Sequence, residues 1–275
     1  MPNIDLLGPA EESSWRRVAL SAWRTPKDPT VLGIMDVDAG ALLERMEELK
    51  SEGVRVTITH MVARAVGLAL ARHPETNVAI RFGRAWLRER VDVFVHVMVP
   101  GEGDMGSTDL SGIKVLNADK KNISEIAEEV NLRAQKVRED DDPEFKSTKA
   151  SINSVPRFVL GLFFKFLNFF AVDLNLDLKR IGVAKDPFGS VGVTNVGVFG
   201  VDTALTALFP LNGPSFFVVI SSLKDRPVVD EAGEVVARPI LRLGGTFDHR
   251  VFDGFQIATL AKEIRVLLEN GVAEL

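Results

Sequence analysis

Apolar and polar residues follow two different periods along the chain. Between Val91 and Val99, valine occupies every second position. Because side chains alternate between the two faces of a strand, this spacing predicts a strand with one aliphatic face. Apolar residues three or four positions apart predict helices, which cover 13–23, 39–52, 57–72, 124–137 and 255–268. Further strands are predicted over 31–37, 113–116, 190–198, 216–223 and 235–247, with a hairpin over 78–90.

These elements mix helices and strands without a regular β-α-β order. We therefore expect a single α/β domain of the mixed α+β type over residues 1–275. The chain has 275 residues, of which 46% are hydrophobic and 26% charged, and this is enough to fill a full core.

The segment from 155 to 172 differs in composition from the rest of the chain. It holds six of the 17 phenylalanines, and read as a helix it has only one narrow polar stripe, formed by Arg157, Gly161, Lys165 and Asn168. Such a broad apolar face needs a cover. Two interpretations stay open: packing within the core or between subunits, or contact with a membrane surface or an acyl chain.

Charge and cysteine content exclude several classes of function. The net charge is −5 and basic residues are scattered, which argues against a nucleic-acid partner. The chain has no cysteine, so any thiol that reacts here must come from a substrate. It shows no secretion signal, membrane-spanning run or lipidation motif, and we expect a cytoplasmic enzyme.

Two patterns resemble ligand sites but have simpler explanations. A G-x-G-x-x-G sequence spans 101–106, but no helical spacing follows it and acidic residues stand in it, so we predict a tight hairpin turn instead of a dinucleotide site. His249 and Asp253 are four residues apart, as two metal ligands on a helix would be. The other histidines lack ligand spacing, and we expect no metal.

A polar cluster stands out where the apolar run 240–246 ends. Asp248, His249 and Arg250 follow that run directly, and Asp253-Gly254 then precede the last predicted helix. Titratable groups at a strand end are a common setting for active sites. His249 is thus a candidate catalytic residue, and the alternative for a lone histidine is a hydrogen-bonded group of the core.

Two separated motifs resemble the acyltransferase cores of 2-oxoacid dehydrogenase complexes. The first is Phe247-Asp248-His249-Arg250-Val251-Phe252-Asp253-Gly254. Its H-x-x-x-D-G part is also found in chloramphenicol acetyltransferase. The second is Val193-Thr194-Asn195-Val196-Gly197-Val198-Phe199-Gly200, similar to the strand that carries the family's oxyanion-stabilising hydroxyl. The resemblance covers most of the chain except 140–189. It implies a chloramphenicol acetyltransferase-like two-layer sandwich of a mixed sheet and helices.

The resemblance also implies an activity and roles for three residues. The chain is expected to be a coenzyme A-dependent acyltransferase that moves an acyl group between CoA and a dihydrolipoyl-type thiol or another acceptor. His249 is expected to take the thiol proton and Thr194 to stabilise the oxyanion. Asp253 is expected to hold the loop, supported by an arginine that matches Arg17 in position, with Arg16 as the alternative.

Partners follow from the same resemblance. Acyl-CoA is the expected substrate, and a homotrimer is expected in which His249 of one chain faces Thr194 of the next. The family carries lipoyl modules before its core, whereas this chain contains no lipoyl lysine, so a separate lipoyl-bearing protein or another acceptor is expected. A trimer is favoured over a large cage because the tail after the last helix is short.

An insertion and an alternative function remain to be considered beside that expected activity. The segment 140–189 is expected to be an atypical phenylalanine-rich helical insertion, with 155–172 as a candidate for peripheral membrane contact. The alternative function is a catalytically idle trimeric scaffold or membrane-associated binding homologue. The presence of both His249 and Thr194 favours the enzyme.

Overall fold

A computed structural model describes residues 2–14, 17, 28–99, 109–138, 157–181, 183–208 and 213–275. Its strands are β1 (Leu6–Pro9), β2 (Thr30–Asp38), β3 (Val78–Arg81), β4 (Arg84–Arg88), β5 (Val93–Val99), β6 (Asp109–Val115), β7 (Val191–Asn195), β8 (Phe216–Val229) and β9 (Val235–Asp248). Its α-helices are α1 (Gly40–Ser51), α2 (Ile58–Arg72), α3 (Ile123–Arg138), α4 (Arg157–Asn168) and α5 (Gly254–Glu269). The predicted mixed α/β class is confirmed.

Six strands form the main sheet in the order β2-β9-β8-β7-β5-β6. β7 runs parallel to both of its neighbours, β5 and β8, and the other pairs are antiparallel. The three remaining strands form a small sheet, β1-β4-β3. The short central strand β7, which carries Thr194, is therefore held by backbone hydrogen bonds on both sides.

One face of the main sheet packs against the helices. The core includes Val93, Val95 and Val97 of β5, which are at most 7% exposed, together with buried residues of α1, α2, α3 and α5. This is the aliphatic face that the alternation of valines predicts. Helix α2 is buried along most of its length. Nine of its residues are buried, and all of them are small or apolar except His60.

The opposite face of the sheet carries a different set of residues. Phe94, Phe217 and Val219 are buried but lie outside the main core, since their side chains alternate with core residues along β5 and β8. Glycines beneath the rings leave room for them: a Cβ on Gly192 would lie 2.2 Å from the Phe217 ring, and one on Gly112 would lie 2.1 Å from the Phe94 ring.

Several predicted bounds differ from those in the structure. The predicted strand 190–198 ends at Asn195, because the Asn195 side chain accepts a hydrogen bond from Gly197 N–H at 3.0 Å and closes a turn. β6 begins at Asp109, earlier than the predicted 113, and β8 extends to Val229. Most of the predicted helix 13–23, the whole turn 101–106 and the start of the insertion at 140–156 lie outside the described residues.

Helix α4 continues into a π-helical turn, Phe169–Asp173, that docks on the small sheet. The rings of Phe82 and Phe169 lie 6.2 Å apart, edge to face. The Arg81 guanidinium donates to the carbonyl of Asp173 at 3.0 Å, and the backbone N–H of Phe82 donates to the Asp173 carboxylate at 3.0 Å. None of the helices in the described part of the chain combines the length and the apolar character needed to span a membrane.

Candidate active site

His249 stands in a tight turn between β9 and α5. The N–H groups of Val251 and Phe252 both donate to the carbonyl of Asp248 at 2.9 Å, which reverses the chain within four residues. The N–H of His249 itself donates to the carbonyl of Pro29 at 2.8 Å. The backbone on both sides of the imidazole is thus fixed before any ligand binds.

The imidazole of His249 makes a contact that sets its tautomer. Its Nδ1 lies 2.6 Å from the carbonyl oxygen of Phe252. A carbonyl oxygen can only accept, so Nδ1 carries the hydrogen and Nε2 of the neutral ring carries the lone pair. The residue is partly exposed. Nε2 is therefore the atom that can take a proton from a substrate.

Three packed phenylalanines support this turn from the core side. Phe216 and Phe247 stack with their centroids 5.3 Å apart, and Phe252 meets the two rings edge-on at 5.7 and 5.5 Å. All three side chains are buried. Because two of them flank the turn in sequence, their packing helps to position His249.

Asp248 and Arg250 form a local ion pair beside the imidazole. The buried carboxylate of Asp248 accepts from Arg250 Nη2 at 2.7 Å and from Arg250 Nε at 3.0 Å. It also accepts from the Arg250 backbone N–H at 2.9 Å. Both charges are therefore paired with each other, and this pair stiffens the turn.

Asp253 caps the N-terminus of α5. Its carboxylate accepts from the N–H groups of Phe255 at 2.9 Å and Gln256 at 3.3 Å. The Gln256 side chain in turn accepts from the Asp253 N–H at 3.0 Å, which completes a capping box. This contact ties the end of the His249 turn to the helix.

Arg17 does not supply the expected support for Asp253 among the described residues. Arg17 is exposed, and among the residues that the structure describes no ion pair joins it to Asp253; Arg16 lies outside them. The backbone N–H groups of α5 already satisfy the carboxylate, so the cap needs no cation. His249 and Asp253 also do not share a helical face, because one lies in the turn and the other at the cap. Within the described ranges, no three or more His, Cys, Asp or Glu side chains are grouped to hold a metal ion.

Thr194 lies near the end of β7, on the sheet face opposite the main core. It pairs with Val219 of β8 and is partly exposed. The next residue, Asn195, donates from its side chain to the Thr59 hydroxyl at 3.0 Å. This contact fixes the end of β7 against the start of α2 and so fixes the position of Thr194.

Thr194 and His249 of one chain are far apart. Thr194 pairs with Val219, which pairs with Gly244 of β9, and His249 follows Gly244 by five residues. Two strand spacings give about 10 Å across the sheet, and five residues give about 17 Å along it. The two side chains of a single chain therefore cannot contact the same substrate atoms.

Two histidines occupy environments that sequence patterns did not assign. Burial lowers the pKa of His60 to about 4, and its Nδ1 accepts from the Thr57 N–H at 3.2 Å. Burial also lowers the pKa of His96, whose strand β5 adjoins β7. The alternation of 91–99 showed that His96 faces away from the valines, but only the strand register shows what lies beside it.

A family model supports the resemblance seen in the motifs. The model of the 2-oxoacid dehydrogenases acyltransferase (catalytic domain) matches residues 16–154 and 187–274. Helix α4 falls in the gap between the two matched ranges, and both Thr194 and His249 fall in the second range.

Curated relatives carry names from the same family. The dihydrolipoyllysine-residue acetyltransferase component of the acetoin cleaving system of Bacillus subtilis strain 168 is 27% identical over 222 residues, covering 80% of this chain and 43% of the relative. The mitochondrial dihydrolipoyllysine-residue succinyltransferase component of the 2-oxoglutarate dehydrogenase complex of Saccharomyces cerevisiae is 25% identical over 241 residues, covering 86% of this chain and 41% of the relative. The chain thus spans less than half the length of these relatives.

Solved structures agree on the fold. The cubic core of the pyruvate dehydrogenase multienzyme complex superimposes with a TM-score of 0.64 at 20% identity, covering 90% of this chain and 84% of that one. Chloramphenicol acetyltransferase superimposes with a TM-score of 0.56 at 14% identity, covering 96% of this chain and all of the other. These confirm the predicted acetyltransferase-like fold, and together with the family match they show that this chain belongs to the 2-oxoacid dehydrogenase acyltransferase (catalytic domain) family.

Proposed function

We propose that the protein is a coenzyme A-dependent acyltransferase that moves an acyl group between CoA and a dihydrolipoyl-type thiol. The observation that carries this proposal is the contact between His249 Nδ1 and the Phe252 carbonyl, which leaves Nε2 as the proton acceptor. Most of a free thiol, with a pKa of about 8.5, is protonated at neutral pH, and an imidazole base is suited to deprotonate it as it attacks.

The reaction follows from this geometry in two steps. His249 Nε2 takes the thiol proton while the sulfur attacks the thioester carbonyl carbon, and a new carbon–sulfur bond forms. The carbonyl oxygen becomes an oxyanion, which accepts a hydrogen bond from the Thr194 hydroxyl. The intermediate then expels the CoA sulfur, which takes the proton back from the His249 imidazolium. Run in reverse, the same steps transfer the acyl group to CoA.

The assembly we propose is a homotrimer with sites between subunits. The separation of Thr194 and His249 within one chain supports this arrangement, because His249 can then work only with the partner subunit's Thr194. The dihydrolipoyl thiol is proposed to arrive on a separate lipoyl-bearing protein. Relatives are named as acetyltransferase and succinyltransferase components. The donors to test first are therefore CoA esters of a short monocarboxylic acid and of a dicarboxylic acid.

Release of free thiol from a panel of acyl-CoAs with dihydrolipoamide tests the activity. His249→Ala should lower turnover by about 10²- to 10⁴-fold, since general-base catalysis contributes that much. His73→Ala is the matched control, because this histidine follows α2 and lies outside the turn. A loss of less than tenfold in His249→Ala would remove His249 from the mechanism.

Thr194→Val tests the oxyanion contact. The substitution keeps the β-branched shape that suits a strand and removes the hydroxyl, so turnover should fall by about 10²-fold or more with little change in CoA binding. An unchanged rate would mean that Thr194 only packs. A folded trimer that transfers no acyl group from any CoA ester would instead support the idle scaffold.

A second proposal is that α4 and the turn after it contact an anionic membrane surface. Leu162 and Phe166 are each 56% exposed, and Phe169 and Phe170 are 43% and 39% exposed. Three basic residues in or after this segment are exposed as well: Lys165 within α4, and Lys179 and Arg180 a few residues after the turn. The chain as a whole has a net charge of −5, so these exposed basic residues are a local feature of the sequence that suits acidic lipid headgroups.

Vesicle sedimentation tests the membrane proposal. Replacing Leu162 and Phe166 with Ser should reduce binding to vesicles that contain phosphatidylglycerol and leave acyl transfer unchanged. Leu132→Ser is the control, because Leu132 is also 53% exposed but lies on α3. If the double variant lost the trimer instead, the surface would be a subunit contact. Equal binding by the wild type and the double variant would also overturn the proposal.

A further inference from the structure

His96 lies beside Thr194 on the same face of the main sheet. β5 and β7 run parallel, with Phe94 opposite Gly192 and Val95 opposite Val193. The next pair in this register is His96 and Thr194. Neighbouring residues in paired strands point to the same face, and their backbones lie about 4.8 Å apart.

Two aromatic rings pack against the imidazole of His96. Its ring centroid lies 5.0 Å from that of Phe94 and 6.1 Å from that of Phe217 on β8. β7 runs between His96 and Phe217, and the Phe217 ring lies over Gly192, so that ring reaches across β7 to meet the imidazole. The absence of a side chain at Gly192 makes room for this contact.

Neither of the two polar groups has a partner in the part of the chain that the structure describes. His96 Nδ1 is buried without a hydrogen bond, and the Thr194 hydroxyl makes none with the described residues. Burial lowers the pKa of His96, so the ring is neutral at neutral pH. A neutral imidazole has one N–H donor and one acceptor, and a hydroxyl can accept while it donates.

We propose that His96 is a positioning residue that donates a hydrogen bond from Nδ1 to the Thr194 hydroxyl during acyl transfer. The contact would turn the hydroxyl hydrogen towards the oxyanion and hold it there. Forming it requires only rotation about side-chain bonds, since the two residues are neighbours in the sheet. The inference rests on the proposed role of Thr194 in stabilising the oxyanion.

Two substitutions of His96 test the inference in this chain in its native assembly. His96→Leu removes both ring nitrogens but keeps an apolar group between the two phenylalanines. It should lower kcat about tenfold and leave KM for acyl-CoA within about twofold, because the lost hydrogen bond acts on the transition state. His96→Asn should recover most of kcat, since its amide nitrogen occupies about the place of Nδ1.

The decisive measurement is the coupling between the two residues. In a Thr194→Val background, His96→Leu should cause no further loss of kcat, because its target is already gone. Independent losses that multiply would overturn the inference, as would equal kcat values for His96→Leu and His96→Asn. Melting curves show whether each variant is folded.

The experiment also separates this inference from the function on which it rests. If Thr194→Val loses turnover and His96→Leu does not, only the role of His96 is wrong. If Thr194→Val is fully active, the oxyanion role of Thr194 is wrong and the inference falls with it.

Discussion

A buried ion pair joins the small sheet to the segment that leads into β7. Arg88 at the end of β4 donates from Nη1 to the Asp186 carboxylate at 2.7 Å, with the two side chains 4% and 10% exposed. The backbone of Asp186 is fixed as well: its N–H donates to the Asn3 side chain at 3.0 Å, and its carbonyl accepts from Lys114 Nζ at 2.6 Å. Thr194 follows Asp186 by eight residues, so the ion pair helps to fix the segment that leads to Thr194.

Arg88→Met should be strongly destabilising, because it leaves the Asp186 carboxylate buried without its cation. Breaking one side of a buried pair costs about 3–5 kcal/mol. At about 2–4 °C for each kcal/mol in large domains, the melting temperature should fall by roughly 6–20 °C. Calorimetry measures this fall, and thiol release at 25 °C shows whether the surviving folded protein keeps its activity.

The matched control adds Asp186→Asn to Arg88→Met. Asp186 has a φ of +41°, a left-handed conformation that asparagine tolerates and branched residues do not, so the second change removes the charge without straining the backbone. The double variant should regain more than half of the lost stability. A loss below about 1 kcal/mol in Arg88→Met, or no recovery in the double variant, would refute the reasoning from the uncompensated charge.

Three further predictions concern other parts of the molecule. Burial lowers the pKa of His60 to about 4, below the exposed value of 6.5, so the unfolded chain binds the proton first and the free energy of unfolding should fall as pH drops from 6.5 to 4. His60→Gln keeps a capping partner for Thr57 and should flatten this fall in urea titrations; an unchanged profile would contradict it. Gly192→Ala should destabilise by about 1–3 kcal/mol in thermal melts because its Cβ meets the Phe217 ring, whereas the unobstructed, exposed helical Gly161→Ala should stabilise by about 1 kcal/mol; similar effects at both sites would argue against the packing explanation. Light scattering should give about three times the 30.1 kDa chain mass, and a fully active monomer would exclude sites between subunits.

The periodicity of apolar residues predicted the helices and strands that have one face in the core and the other outside it. The alternating valines of β5 and the apolar stripe of α5 follow directly from which side chains enter the core. The predicted strand 216–223 missed the second half of β8, in which Lys224, Asp225 and Arg226 pair with β9. Its backbone ladder holds it together although its side chains are exposed, and a hydrophobic pattern does not record a ladder.

The site was predictable only where it is local in sequence. The turn around His249 and the cap at Asp253 lie within a few residues of each other, so a motif and a helix start could indicate them. The contact of Arg88 with Asp186 spans 98 residues, and the placement of His96 beside Thr194 depends on the pairing of β5 with β7. Such contacts follow from strand register and topology, which no local pattern contains.

The distance between Thr194 and His249 within a chain has a genetic consequence. If each site takes one of these residues from each of two subunits, then a chain lacking the histidine and a chain lacking the hydroxyl are both inactive alone but can complement each other. In trimers assembled at random from equal amounts, a site is intact when the first chain supplies its histidine and the next its threonine, which happens in about a quarter of cases. Two defective alleles in one cell could thus restore partial function, and dissociation of the assembly would abolish activity without unfolding a single chain.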